Sequence, residues 1–351
     1  MLPELYFSLR INVVHFTGRA QVTNQRTFYP VPHTATLNPR GCCDTNTSIS
    51  GSPYTEFTTI HTLTRRHFMA GGTSMLLAGT AATAADIIGA PSRTLTPQQT
   101  LLAWMKLAAA LDDRLVIWWM DGVRYGVVES RAEPLYGMKI GLFQRYFEQP
   151  GGYWKLAMFE LTYYTDLHTG KLLEEYKNPY TGEANSVRHV RLGPEIRHQT
   201  IEGQLADPDD KLTQQMLHDY STSLGPALIN GDSLWIPTSV EARIVFPKPT
   251  APDIRLSIYS TVMGSLRDAE DPDLISAPCS FAFQNILKWE PWMRMGDHPG
   301  EMMSRASGRK LAHLEELPSD YLEMARSVHP WLIKDPIETL SAKVGQITAA
   351  A

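Results

Sequence analysis

The stretch whose reading decides the fold runs from Tyr153 to His198: YWKLAMFELTYYTDLHTGKLLEEYKNPYTGEANSVRHVRLGPEIRH. Residues 153–167 form an apolar and aromatic run, His168-Thr169-Gly170 supplies a turn, and 171–177 reads as its return strand. Asn178–Glu183 (NPYTGE) is a second turn, and 185–198 another extended pair. A two-residue period puts Trp154, Leu156, Met158, Glu160, Thr162, Tyr164 and Asp166 on one face. Lys155, Ala157, Phe159, Leu161, Tyr163 and Thr165 share the other. Neither face is purely apolar.

Working outward, the same grammar recurs. Asp121-Gly122, flanked by apolar runs in RLVIWWMDGVRYGVVES (114–130), predicts a hairpin turn. Residues 233–246 place Val240, Ala242, Ile244 and Phe246 against Glu241 and Arg243, and 253–266 place Ile254, Leu256 and Ile258 on one face. That makes eight or nine strands joined by short connections, an antiparallel meander rather than βαβ units. So many strands tend to close on themselves, which removes exposed edges. The expected fold is mainly β: a closed or nearly closed antiparallel barrel of calycin or lipocalin type. Thr96-Pro97 opens an N-terminal helix with Thr as its cap. A helix is expected over 207–224 across one mouth, and further helices over 298–346.

Ahead of this domain stands His61–Asp86, HTLTRRHFMAGGTSMLLAGTAATAAD. Arg65 and Arg66 match the twin-arginine pattern, the following run is too diluted by Gly, Ser and Thr to anchor a membrane stably, and Ala82-Thr83-Ala84 offers an A-x-A cleavage site. The expected division is 1–62 as a disordered extension or a start codon set too far upstream, 63–84 as the signal, and 85–351 as one barrel domain. Export to the periplasm or beyond follows, with the twin-arginine machinery as a partner.

The whole chain carries a formal charge of −5. From residue 85 onward, 34 acidic residues face 26 basic ones, with no basic stripe, so nucleic acid is not an expected partner. Beyond the leader Cys279 is the one cysteine, which leaves no intrachain disulfide and reads as a small buried apolar residue. The usual metal, nucleotide and hydrolase motifs do not occur. No cofactor or metal is predicted, although His168, His189 and His198 fall on neighbouring strands or turns. Oligomeric state is left open.

A lumen that holds a ligand needs a few polar groups among aromatics. The candidate catalytic residues are Tyr164, Asp166 and His189: Asp166 or His189 to move a proton, Tyr164 to donate to a developing oxyanion. His189 is expected to point inward beside the carboxylates. The candidate ligand-binding residues are Trp154, Glu160, Tyr176, Trp289, Trp292, Arg294 and His298. Trp289 to His298 belong to WEPWMRMGDHPGEMMSRASGRKL, where tryptophans and methionines make an apolar wall and Arg294 reaches an anionic group. The alternative for this segment is a plug of one barrel end held by an Arg294–Asp297 contact.

NPYTGE, VRHVRLGP and above all WEPWMRMGDHPGEM with the later ASGRKL resemble the bacterial and fungal family called domain of unknown function 1838. The resemblance spans most of 100–330. It implies a twin-arginine signal in many members and no assigned activity, so it transfers no catalytic residue. The leading functional reading is an exported barrel that binds a small apolar or aromatic molecule and performs cofactor-independent isomerase or lyase chemistry. The rivals are a non-catalytic carrier and an exported redox or metal protein.

Overall fold

The computed structural model describes residues 93–245 and 253–349. The expected signal with Arg65, Arg66, Ala82 and Ala84, the expected extension before it, and Phe246 lie outside them. Thr96 caps α1 (Pro97–Ala108) through a reciprocal box in which the Gln99 N–H donates to Thr96 Oγ1 (3.2 Å) and the Thr96 N–H to Gln99 Oε1 (2.9 Å). The strands are β1 (Val116–Val128), β2 (Arg131–Gln149), β3 (Tyr153–Thr165), β4 (Glu175–Lys177), β5 (Ala184–Ser186), β6 (Val190–Thr200), β7 (Gly203–Ala206), β8 (Leu217–Leu224), β9 (Leu228–Asn230), β10 (Ser233–Ile244), β11 (Ile254–Ser265), β12 (Ser280–Leu287) and β13 (Glu301–Leu311). The remaining helices are α2 (Lys211–Met216), α3 (Leu266–Glu270), α4 (Ser319–Val328), α5 (Pro330–Ile333) and α6 (Pro336–Ala349).

Ten strands run antiparallel in the order β7-β6-β3-β2-β1-β13-β12-β11-β10-β8, with β9 beside β10. The first and last strands, β1 and β13, pair over their whole length, from Ile117↔Leu311 to Val127↔Glu301. The seam falls instead in mid-chain, between β7 and β8. There the Tyr220 hydroxyl donates to the Gln204 carbonyl and Gly203 faces Thr222, so side chains bridge edges that share no ladder. The result is a nearly closed, calycin-like barrel. The β4–β5 hairpin stands apart as a two-stranded sheet.

Four expectations change. Asp121-Gly122 is not a turn, because β1 continues through it; the chain reverses at Glu129 and Ser130, both at positive φ (50° and 63°). Gly122 is small for another reason: a Cβ there would lie 2.2 Å from the Arg305 carbonyl oxygen of β13. The helix expected over 207–224 shrinks to six residues in α2, after which Leu217–Leu224 pairs with β10. Residues 301–311 form central strand β13 rather than helix, and the described residues hold thirteen strands in place of eight or nine.

The two faces of β3 separate two cores. Inward, Leu156, Met158 and Tyr164 join Tyr136, Met138 and Ile140 of β2 and Leu234, Ile236, Val262 and Phe281 across the barrel. At one end α1 fills the interior: the Trp118 indole donates to the Ala108 carbonyl (2.5 Å), and the Lys310 ammonium donates to the carbonyls of Lys106 and Ala109 at the helix end. Outward, Ala157, Phe159, Leu161 and Tyr163 meet Tyr321, Leu322, Ala325, Leu332 and Leu340 of the C-terminal helices.

Candidate functional site

At the end opposite α1, β1, β3, β12 and β13 bring one polar side chain each to a common point. Arg124 points inward from β1 and is buried. Its Nη1 donates to Ser304 Oγ (2.5 Å) and Asn285 Oδ1 (3.2 Å), its Nη2 to the Tyr164 hydroxyl oxygen (3.2 Å) and Glu290 Oε1 (3.4 Å). The Tyr164 hydroxyl donates to the same Glu290 oxygen at 2.8 Å. Among the described residues Nε of Arg124 has no partner. Burial opposes the guanidinium charge, but Tyr164, Tyr136 and Glu290 more than offset it and hold its pKa above the ordinary value. Burial and the Glu290 carboxylate push the Tyr164 phenol up, so it stays a proton donor.

Glu290 owes its place to backbone geometry. Pro291 opens a single tight turn, Pro291–Met293, and Arg294 ends it in the left-handed conformation (φ 51°, ψ 46°). Gly300 (φ 106°) then returns the chain to β13, with its Cα side so near the Val127 carbonyl that a Cβ would lie 2.5 Å away. Trp292 and Met293 are buried by this bend. Asn178, from NPYTGE, donates to the Met293 carbonyl (2.8 Å) and accepts the Tyr180 N–H (2.9 Å), which ties the β4–β5 hairpin to the turn. Trp292 contacts the rings of Tyr136, Tyr164 and Tyr176 at 5.7, 6.2 and 5.9 Å between centroids.

Below this cluster the lumen narrows less tightly. Leu142, Glu160, Val240, Ile258 and Phe283, all on inward-facing registers, keep partial exposure although the strands around them are continuous. Glu160 accepts the Thr162 hydroxyl (2.7 Å). Burial raises its pKa, against the pull of Thr162 and Arg197. On β6, a bulge at Gly193 turns Glu195 and Arg197 inward, where Arg197 Nε donates to Glu195 Oε1 at 2.5 Å.

The expected site residues divide. Tyr164, Glu160 and Trp154 face the lumen, and Tyr176 and Trp292 close one end of it. Trp289 lies tilted against Tyr180, 5.2 Å between ring centroids, and donates to the His298 carbonyl (3.2 Å); His298 lies beside both rings at the rim. Arg294 is exposed and forms no ion pair with Asp297 among the described residues, because the left-handed turn throws it outward. The guanidinium in the Tyr164–Glu290 cluster is that of Arg124. Asp166 leaves the strand register and caps a turn, accepting the N–H groups of His168 (3.0 Å) and Thr169 (2.7 Å). The Thr169 bonds hold its carboxyl below the usual range. His189 meets no carboxylate. Its Nδ1 accepts the Tyr164 N–H (3.2 Å), its ring lies near Tyr163, and burial with His329 nearby lowers its pKa to about 4. His198 stacks on Tyr153, 3.7 Å from Asp207. Among the described residues, His168, His189 and His198 build no metal-binding group.

Sequence reasoning missed Arg124, Asn285, Glu290 and Ser304. Arg124 was hidden by the supposed turn two residues earlier. Glu290 lay within the most distinctive motif but was passed over for Arg294.

A family model described as "Protein of unknown function (DUF1838)" matches residues 112–223 and 257–345, which takes in all four of these residues. No curated protein and no solved structure matches the chain.

Proposed function

The chain belongs to that family of unknown function, and we propose that its barrel binds a small, largely apolar or aromatic molecule in the lumen and performs acid–base chemistry on it without an organic cofactor. One observation carries this reading: Tyr164, Glu290 and Arg124 share a hydrogen-bonded cluster at the end of a partly accessible interior. In an isomerisation, Glu290 takes a proton from a carbon next to a carbonyl and returns it at another position. Tyr164, kept protonated, donates to the oxygen where charge develops, and Arg124 neutralises the cluster. Atoms balance with no redox partner.

A carrier is the second reading, favoured by the cluster's bonds being largely satisfied among its own members. We also infer export, resting on Arg65, Arg66 and Ala82-Thr83-Ala84; the exported form should begin near Ala85 by intact-mass measurement. Native mass spectrometry with an absorbance spectrum of that form tests the main proposal. A co-purifying organic molecule supports the lumen, and its conversion by the wild type but not by Glu290→Gln supports catalysis. A bound chromophore or metal would overturn the cofactor-free reading.

A further inference from the structure

Three acidic side chains face the interior, and two of them carry an arginine: Glu290 has Arg124 at 3.4 Å and Glu195 has Arg197 at 2.5 Å. Glu160 has no cation within ion-pair distance among the described residues. Its one hydrogen bond among the described residues comes from Thr162, and its half-buried side chain lies on the inward face of β3. Around it stand two ion pairs, Arg124 with Glu290 and Arg197 with Glu195, and Tyr321 of α4 beyond the strand, so the two arginines are already matched by two carboxylates and leave no net positive charge that calls for ionised Glu160.

Resting on the lumen reading above, we propose that Glu160 reads the ligand as a neutral carboxylic acid, donating a hydrogen bond to an uncharged acceptor such as a ketone, ester or lactone carbonyl. A ligand carboxylate is disfavoured, because each arginine here already faces a glutamate and a buried charge without its own partner is costly. A hydrocarbon of the same shape would leave Glu160 unpaired. The direction of the Glu160 pKa shift agrees with this role.

Tryptophan-fluorescence titration of the full chain with 2-acetylnaphthalene, 2-ethylnaphthalene and 2-naphthoate separates the possibilities. The ketone should bind about tenfold tighter than the hydrocarbon, the equivalent of one net hydrogen bond, and the carboxylate most weakly. Glu160→Gln, whose amide still donates, should keep the preference; Glu160→Leu should lose it. In the wild type the preference should fade as pH rises and burial no longer keeps Glu160 protonated, while Glu160→Gln stays flat. A preference that survives in Glu160→Leu, or is independent of pH in the wild type, overturns the assignment and leaves the lumen reading standing. Binding of none of the three probes overturns both. If Glu160→Leu fails to fold, the contrast in pH profile between wild type and Glu160→Gln decides.

Discussion

The two sides of β3 are both buried, yet they are built for different ends. Its outer side, Phe159, Leu161 and Tyr163, is sealed against the C-terminal helices: Phe159 stacks on Phe143 at 4.6 Å, and the Tyr321 hydroxyl donates to the Leu161 carbonyl at 3.0 Å. Its inner side, Glu160, Thr162 and Tyr164, carries one acid and two hydroxyls among apolar neighbours. A strand with one dry face and one chemical face needs both, because the helices hold the wall in place while the inner face presents its polar groups. Burial alone therefore does not mark a core; what distinguishes the faces is whether polar groups arrive with partners.

The largest effect should come from breaking the packed side. Phe159→Ala should cost about 3–5 kcal/mol in chemical denaturation; a loss under about 1 kcal/mol would mean that the helices do not seal this face. Next, Arg124→Met should cost about 3 kcal/mol by stranding Glu290. Adding Glu290→Gln should recover much of that loss, whereas simple additivity would dissolve the proposed cluster.

Acid should loosen the outer side through His189. The unfolded chain takes its proton near pH 6.5 and the folded one near pH 4. Stability from this group is thus whole above about 6.5 and falls as pH drops toward about 4. His189→Gln should flatten that part of a melting-temperature profile. Glu160 works in the opposite sense: its raised pKa means that folding favours the protonated form, so its contribution is lost as pH rises through the folded value. Glu160→Gln should accordingly melt higher than wild type at neutral pH, with the gap closing on acidification. The smallest effect belongs to Asp166→Asn, which should leave probe binding unchanged; a loss would return Asp166 to the site.

Much of the architecture was legible because strand alternation is a local property. The faces of β3, β10 and β11 follow from a two-residue period, and Thr96-Pro97 marks a helix start wherever it is packed. The errors came where a local signal had a distant cause. Asp121-Gly122 looks like a turn, but Gly122 is small because β13 crosses close by. Arg294 looks like an anchor until one left-handed residue sends it to solvent. Asp166 shares the strand period and then caps its own turn.

The order of polar and apolar residues by itself determined that this chain makes an antiparallel β-wall with one mixed face. Only the tertiary structure decided which arginine and which glutamate meet inside it. Arg124 and Glu290 are 166 residues apart, and their encounter depends on the pairing of β1 with β13 and the bend after β12. Periodicity reports which way a side chain points relative to its neighbours, but long-range register and closure select its partner.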